Sequence, residues 1–234
     1  PVTTSSAVSI GILPYSELGY NFKNTVQVGT TADNKKTVDY IYTGEGGLSK
    51  AYLGYGIQLG DHFRVGANAE YLFGNLIQNR STEYVNELSA INSRDQVKNS
   101  IYGVGFSYGI QYDFRIDGKT SLTIGYSGAS ASKLNSEISQ YTTLYNKDND
   151  GNEQSALDTL SFSENAKTNL KLPLVHSVGF TFQKNNKWLV GADYRLGQWS
   201  DMSINNVGQN LQDTYGLSLG GQFTPDVTAI NGYF

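Results

Sequence analysis

The sequence contains no cysteine, which excludes a disulfide scaffold and any thiolate metal site. Charge is scarce as well. Asp, Glu, Lys and Arg make up 16% of the 234 residues, against about a quarter in an ordinary soluble domain. The formal net charge of −4, with no basic stripe, argues against a nucleic-acid partner. Apolar runs extend for only a few residues, so a helical membrane span, which needs about 20, is excluded. Pro (4) and Met (1) are rare. Aromatics at 12% are too many for a disordered chain. The sequence opens without an initiator Met, a basic n-region or an apolar h-region, which reads as a mature or partial form. What it has in plenty is Gly (26) and Tyr (17).

The apolar residues alternate. From Ser100 to Phe114, Tyr102, Val104, Phe106, Tyr108, Ile110, Tyr112 and Phe114 fall on one face, and Gly103, Gly105, Ser107, Gly109, Gln111 and Asp113 on the other. The same period of two runs through Ala51–Leu59, Phe63–Phe73, Leu122–Tyr126, Val178–Phe182, Trp188–Leu196 and Tyr215–Phe223. Such alternation predicts strands with one apolar and one small, polar face. The longest exceed the usual five or six residues. They match the roughly 9 to 11 that cross a bilayer at a tilt.

Short turns at 60–62, 115–119 and 184–187 alternate with polar connections near 78–99, 131–171 and 198–213. That layout predicts one antiparallel transmembrane β-barrel domain over 1–234, with short turns inside and long connections outside. Aromatic belts are expected from Phe63, Tyr112, Phe114 and Trp188 near the short turns, and from Tyr71, Phe73, Tyr102 and Tyr215 at the other end. A soluble β-sandwich or lipocalin-like barrel is the alternative, but its outer surface would carry Lys and Glu. About nine strands are legible. An odd number is unusual for a bacterial barrel, and open edges are not tolerated in lipid. The expectation is therefore an incomplete barrel, with Pro225-Asp226 as a turn and Thr228–Phe234 approaching a further strand.

Ser9-Ile10-Gly11-Ile12-Leu13-Pro14-Tyr15-Ser16-Glu17-Leu18-Gly19-Tyr20 resembles a strand region of Bacteroidota outer-membrane proteins of the long-chain fatty-acid transporter (FadL-type) family. The pieces Gly191-Ala192-Asp193-Tyr194-Arg195, Trp199-Ser200, Leu211-Gln212-Asp213 and Leu217–Pro225 fit the same pattern. The resemblance implies about 14 strands, an N-terminal plug, capture of a hydrophobic ligand outside and its lateral release. The chain departs from it in showing no plug segment and too few strands.

Candidate chemistry is sparse. Gly105-Phe106-Ser107-Tyr108-Gly109 matches a nucleophile elbow in letters, but its Ser sits mid-strand rather than on a strand-to-helix turn. His62 and His176 have no triad or metal spacing, so no enzyme is expected. Asn146, Asp148 and Asp150 precede Gly151 like half a calcium loop without its closing Glu; calcium is the one candidate cofactor. Arg64, Asn68, Glu70, Gln111, Asp113, Asp193 and Arg195 are assigned to the lumen, as a structural network or a plug-docking path. Leu134, Ile138, Tyr141, Leu160 and Phe162 are candidates for hydrophobic capture. The leading expectation is an integral outer-membrane transporter of a hydrophobic small molecule such as a fatty acid. The alternatives are a structural or assembly subunit with outer-membrane protein partners, and a diffusion porin.

Overall fold

Strict alternation of side chains, carried across hydrogen-bonded neighbours, builds one large antiparallel sheet of thirteen strands. The structure is a computed structural model and describes residues 2–29, 35–85, 87, 90–148, 150–185, 187–204 and 206–225. The strands are β1 (Ser6–Glu17), β2 (Tyr20–Val28), β3 (Lys36–Leu59), β4 (Phe63–Tyr84), β5 (Asn92–Asp117), β6 (Thr120–Ala129) and β7 (Ser132–Tyr145), followed by β8 (Asp158–Leu172), β9 (Val175–Lys184), β10 (Trp188–Gly197), β11 (Ser203–Ile204), β12 (Val207–Gly208) and β13 (Thr214–Phe223). No α-helix occurs among the described residues. Thr228–Phe234 and Asp226 lie outside them.

The strands stack in chain order as an up-and-down meander of eight ranks. β1 and β2 both pair with β3, one along its second half and one along its first. β4 pairs with β3, and β5 with β4. β6 and β7 share the next rank, against the two halves of β5. β9 and β8 follow, then β10 and β11, then β13 and β12. Among the described residues nothing pairs with the far edge of β1, β2 or β13, so the sheet is not closed there.

Two of the sequence-read connections are strand. β4 runs on to Tyr84 and β5 begins at Asn92, so most of 78–99 is ladder. Within 131–171, β7 and β8 flank a loop at 146–157. These parts pair through polar side chains. Asn79 donates to Thr43 at 3.2 Å, Gln96 to Asn79 at 2.8 Å, and Arg94 Nε to Ser81 at 3.2 Å. With few apolar residues to alternate, such strands carry no hydropathy signal. The 198–213 stretch is mostly irregular, with a 3-10 turn at Trp199–Asp201 and the two-residue β11 and β12.

A line of irregularity crosses the sheet at mid-height. Ranks break at Leu18-Gly19, Ser130-Ala131, Pro173-Leu174 and Gln198–Met202, while β3, β4 and β5 run through. On β3 the line is marked by Gly46, whose φ of +110° suits only glycine; a Cβ there would also lie 2.1 Å from the Asn75 carbonyl oxygen. The line separates a lower band from an upper extension. At its height, on the inner face, Leu48, Leu72, Ile101, Leu134 and Leu170 are buried together, with Leu76, Leu172, Met202 and Ile204 packed against them. Gly103 lets Leu134 seat directly on β5; a Cβ would meet Leu134 Cδ2 at 2.7 Å. Burying each Leu side chain contributes about 1.5–3 kcal/mol.

Leu134 is fully buried, so Leu134→Ala should cost about 2–5 kcal/mol. Leu160→Ala, at a residue 60% exposed, should cost less than about 0.5 kcal/mol. Denaturant unfolding in detergent, followed by tryptophan fluorescence, checks the contrast; equal costs would remove this cluster from the core.

Candidate functional site

Three surfaces could carry function: the outer face of the lower band, its inner face, and the upper extension. The outer face is apolar across every rank. One rung runs Leu59, Phe63, Tyr112, Ile124, Phe180, Ala192, Leu219. Another runs Ile10, Leu53, Ala69, Phe106. These side chains are not packed away: Ile10 is 81% and Phe106 56% exposed. An apolar surface of this extent is far beyond the scattered exposed residues of a monomer in water. All eight belt aromatics lie on this face. Tyr112 and Phe114 touch with centroids 4.5 Å apart near one end, where Trp188 meets Phe223 at 4.3 Å. Tyr71 and Phe73 sit 6.0 Å apart toward the other, near Tyr102.

The inner face of the band is a polar trough. Glu70 is buried and accepts from Lys50 at 3.1 Å and from the Ser107 hydroxyl at 2.7 Å. Asn68 donates to Ser107 at 3.0 Å. Asp113 pairs with Arg64 and accepts from Thr123 at 2.8 Å and Gln111 at 3.2 Å. Asp193 and Arg195 share this face on β10, are exposed, and form no ion pair among the described residues. Two cavities occupy the trough. One of about 750 Å³ is bordered by Lys50, Glu70, Ser107, Arg195 and Trp199. The other, of about 550 Å³, is bordered by Arg64, Gln111 and Asp193. The seven lumen candidates therefore divide into two bonded groups and an unpaired pair. Lys50 was missed, although the alternation of 51–59 extended by one residue places it on the polar side.

The remaining candidates separate. Ser107 is spent on Glu70 and has no histidine partner. His62 Nδ1 bonds the Asp113 carbonyl at 2.8 Å, and His176 bonds the Tyr126 hydroxyl. Asp148 Oδ1 accepts the backbone N–H groups of Asp150 at 3.0 Å and Asn152 at 2.8 Å, closing the turn. The capture candidates do not form one apolar site. Leu134 is in the core, Tyr141 donates its hydroxyl to Glu164 at 2.8 Å, and Leu160 and Phe162 stand exposed on β8.

On the extension, the 146–157 loop folds over β4 and β5 and is clamped by charge. Lys147 and the Tyr145 hydroxyl (2.7 Å) both reach Glu83, and Arg94 meets Glu153 with two guanidinium nitrogens, one at 2.8 Å. Thr25 and Lys23 reach Asp39, at 2.6 and 3.0 Å. The Thr25 hydroxyl, with help from Lys23 and against the effect of burial, holds the Asp39 carboxyl below the usual range. Burial first, and then the Glu83 carboxylate, push the Tyr145 phenol up to about 12.

The sequence model of the BamG family matches residues 1–234. The chain belongs to the BamG family. That family is linked to the machinery that assembles outer-membrane proteins, so the chain is associated with the outer membrane and with protein partners there. No curated protein and no solved structure matches. The match overturns the likeness to fatty-acid transporters, and with it the reading of a transporter that captures and releases a hydrophobic ligand. The stretches that carried the likeness, Ser9–Tyr20 and Trp188–Pro225, are largely strands β1, β10 and β13. Their alternation answers to a sheet with one apolar face, whatever the family.

Tyr145→Phe leaves the Glu83 carboxylate one donor short, which should cost about 1–3 kcal/mol and speed proteolytic cleavage within 146–157. Because the folded phenol titrates above its unfolded value of about 10, its contribution is complete below that pH and lost as pH rises through about 12. Tyrosinate absorbance of Tyr145→Phe should lack one phenol of the late-ionising fraction seen in the parent. Identical titrations would break the assignment.

Proposed function

We propose that this chain is a non-catalytic structural subunit of an outer-membrane protein assembly complex, anchored as an integral β-sheet wall. The observation that carries the reading is the family match over residues 1–234. The band supports the anchoring. Twelve residues of β5 separate Tyr102 from Phe114, about 40 Å of strand. At a tilt of about 45° these cover about 28 Å, close to the roughly 25 Å apolar belt of such proteins. The exposed apolar rungs then face lipid, and the aromatics at either end sit at its two boundaries.

In this reading each surface has a mechanical task. The band holds the chain in the membrane. The bonded charges of the trough pair across neighbouring strands, so that polar side chains facing inward are satisfied and the wall keeps its register. The extension carries the ladder beyond the lipid and stiffens it with the clamped loop, offering a fixed surface to partners. In this reading the chain carries out no catalysis.

Gentle extraction from the native outer membrane, followed by native mass spectrometry, tests the reading. The expected result is the chain in fixed stoichiometry with other outer-membrane proteins. Release as a lone chain that binds an apolar ligand would reject it. Anchoring is tested separately by Phe106→Lys, which should destabilise the membrane-embedded state by about 2–4 kcal/mol in urea titrations in lipid vesicles. Ser163→Lys, on the extension, should not, and equal effects would count against a lipid-facing band.

A further inference from the structure

Strand β8 rises through the extension with every residue from Asp158 to Lys167 exposed. Its one side is paired to β7. Its other side is bare among the described residues until Leu170 and Lys171, where β11 docks. A bare edge displays a row of main-chain N–H and C=O groups that another strand can take up. Native edges are normally blunted by Lys, Pro or a bulge. Here the ladder slips twice, between Thr142 and Thr143 opposite Leu160, and between Ile138 and Gln140 opposite Asn165 with its φ of +54°, while Lys167 comes only after both. Asp158–Ser163 therefore has neither Lys nor Pro, and its one irregularity is the slip at Leu160.

The side chains on this stretch are apolar where water would be expected. Leu160 is 60% and Phe162 67% exposed, and Leu157 beside them is 55% exposed. Lipid does not account for them. Phe162 is level with Tyr141 and so with Gln96 of β5, in the tier that carries the Arg94–Glu153 and Gln140–Asp95 contacts, above the apolar band. A hydrocarbon environment at that height would strand those charges. Asp158 adds a negative charge at the start of the run, its Oδ1 turned back on the Thr159 N–H at 2.7 Å.

We infer that the Asp158–Ser163 edge of β8 receives an extended strand from another subunit of the assembly complex. The incoming strand carries alternate apolar residues beside Leu160 and Phe162, and a basic residue facing Asp158. Strand addition on an open edge draws affinity from main-chain hydrogen bonds and specificity from alternate side chains, which is what this edge offers. The same edge already accepts a strand of its own chain at β11, so the added strand continues an existing ladder. The inference rests on the complex-subunit reading and names the surface that reading leaves open.

Hydrogen exchange, compared between the purified native complex and the isolated chain in detergent, is the test. Amides of residues 159–163 should exchange at least tenfold more slowly in the complex. Leu160→Lys with Phe162→Lys should remove one identified subunit from the complex while the chain stays in the membrane. If partners are present and these amides exchange equally in both samples, the edge assignment fails and the subunit reading stands. If no partners co-purify, both fail. Protection that grows with concentration of the isolated chain would give the edge to a second copy and overturn the inference.

Discussion

The uninterrupted ladder of β3, β4 and β5 is the constraint on which the rest depends. In it Leu53, Ala69 and Phe106 share one rung and face, while Gly54, Asn68 and Ser107 share the next rung and the opposite face. Because side chains alternate with a period of two, a slip of one residue would exchange the faces wholesale. Phe106 and Tyr108 would then crowd the trough, and Glu70 and Asp113 would turn toward the apolar side. The bonds from Lys50 and Ser107 to Glu70, and the close seat of Leu134 on Gly103, are satisfied in one register alone. Polar pairs inside and apolar rungs outside thus select the same alignment.

Legibility in the sequence followed the strength of that alternation. The lower band was readable almost residue by residue, from Tyr102–Phe114 to Trp188–Leu196, because one face is apolar and the other is not. For the same reason the eight aromatics fall together on one face of the sheet and the seven polar candidates on the other. Within the extension, 78–99 was read as a connection, since Asn79, Ser81, Arg94 and Gln96 hold their strands together with side-chain hydrogen bonds that hydropathy does not register. Leu134 looked like a surface apolar residue in a long loop and is a core residue, because its rung partner Leu170 is 36 positions away in the chain. The clamp of Glu83, Lys147, Arg94 and Glu153 joins side chains far apart in sequence, and no local pattern announces it.

The family assignment teaches a related lesson. Short motifs within a strand such as Ser9–Glu17 mostly report what any sheet with one apolar face demands. They distinguish architectures well and relatives poorly. Likeness spread over the whole chain carries information that strand-sized fragments do not, since turns, extension and clamp then enter the comparison together.

The meander has a consequence for how the chain is made. Each rank pairs only with the ranks before and after it, so a long-range pair such as β6 with β9 closes across a β7–β8 hairpin that can already have formed, and the added entropy of closure stays small. The order of the ranks follows the chain. The sheet can be laid down one hairpin at a time from either end, and every stage of growth is a finished ladder that extends at one edge. A wall assembled this way needs no distant strand to arrive before the next can settle.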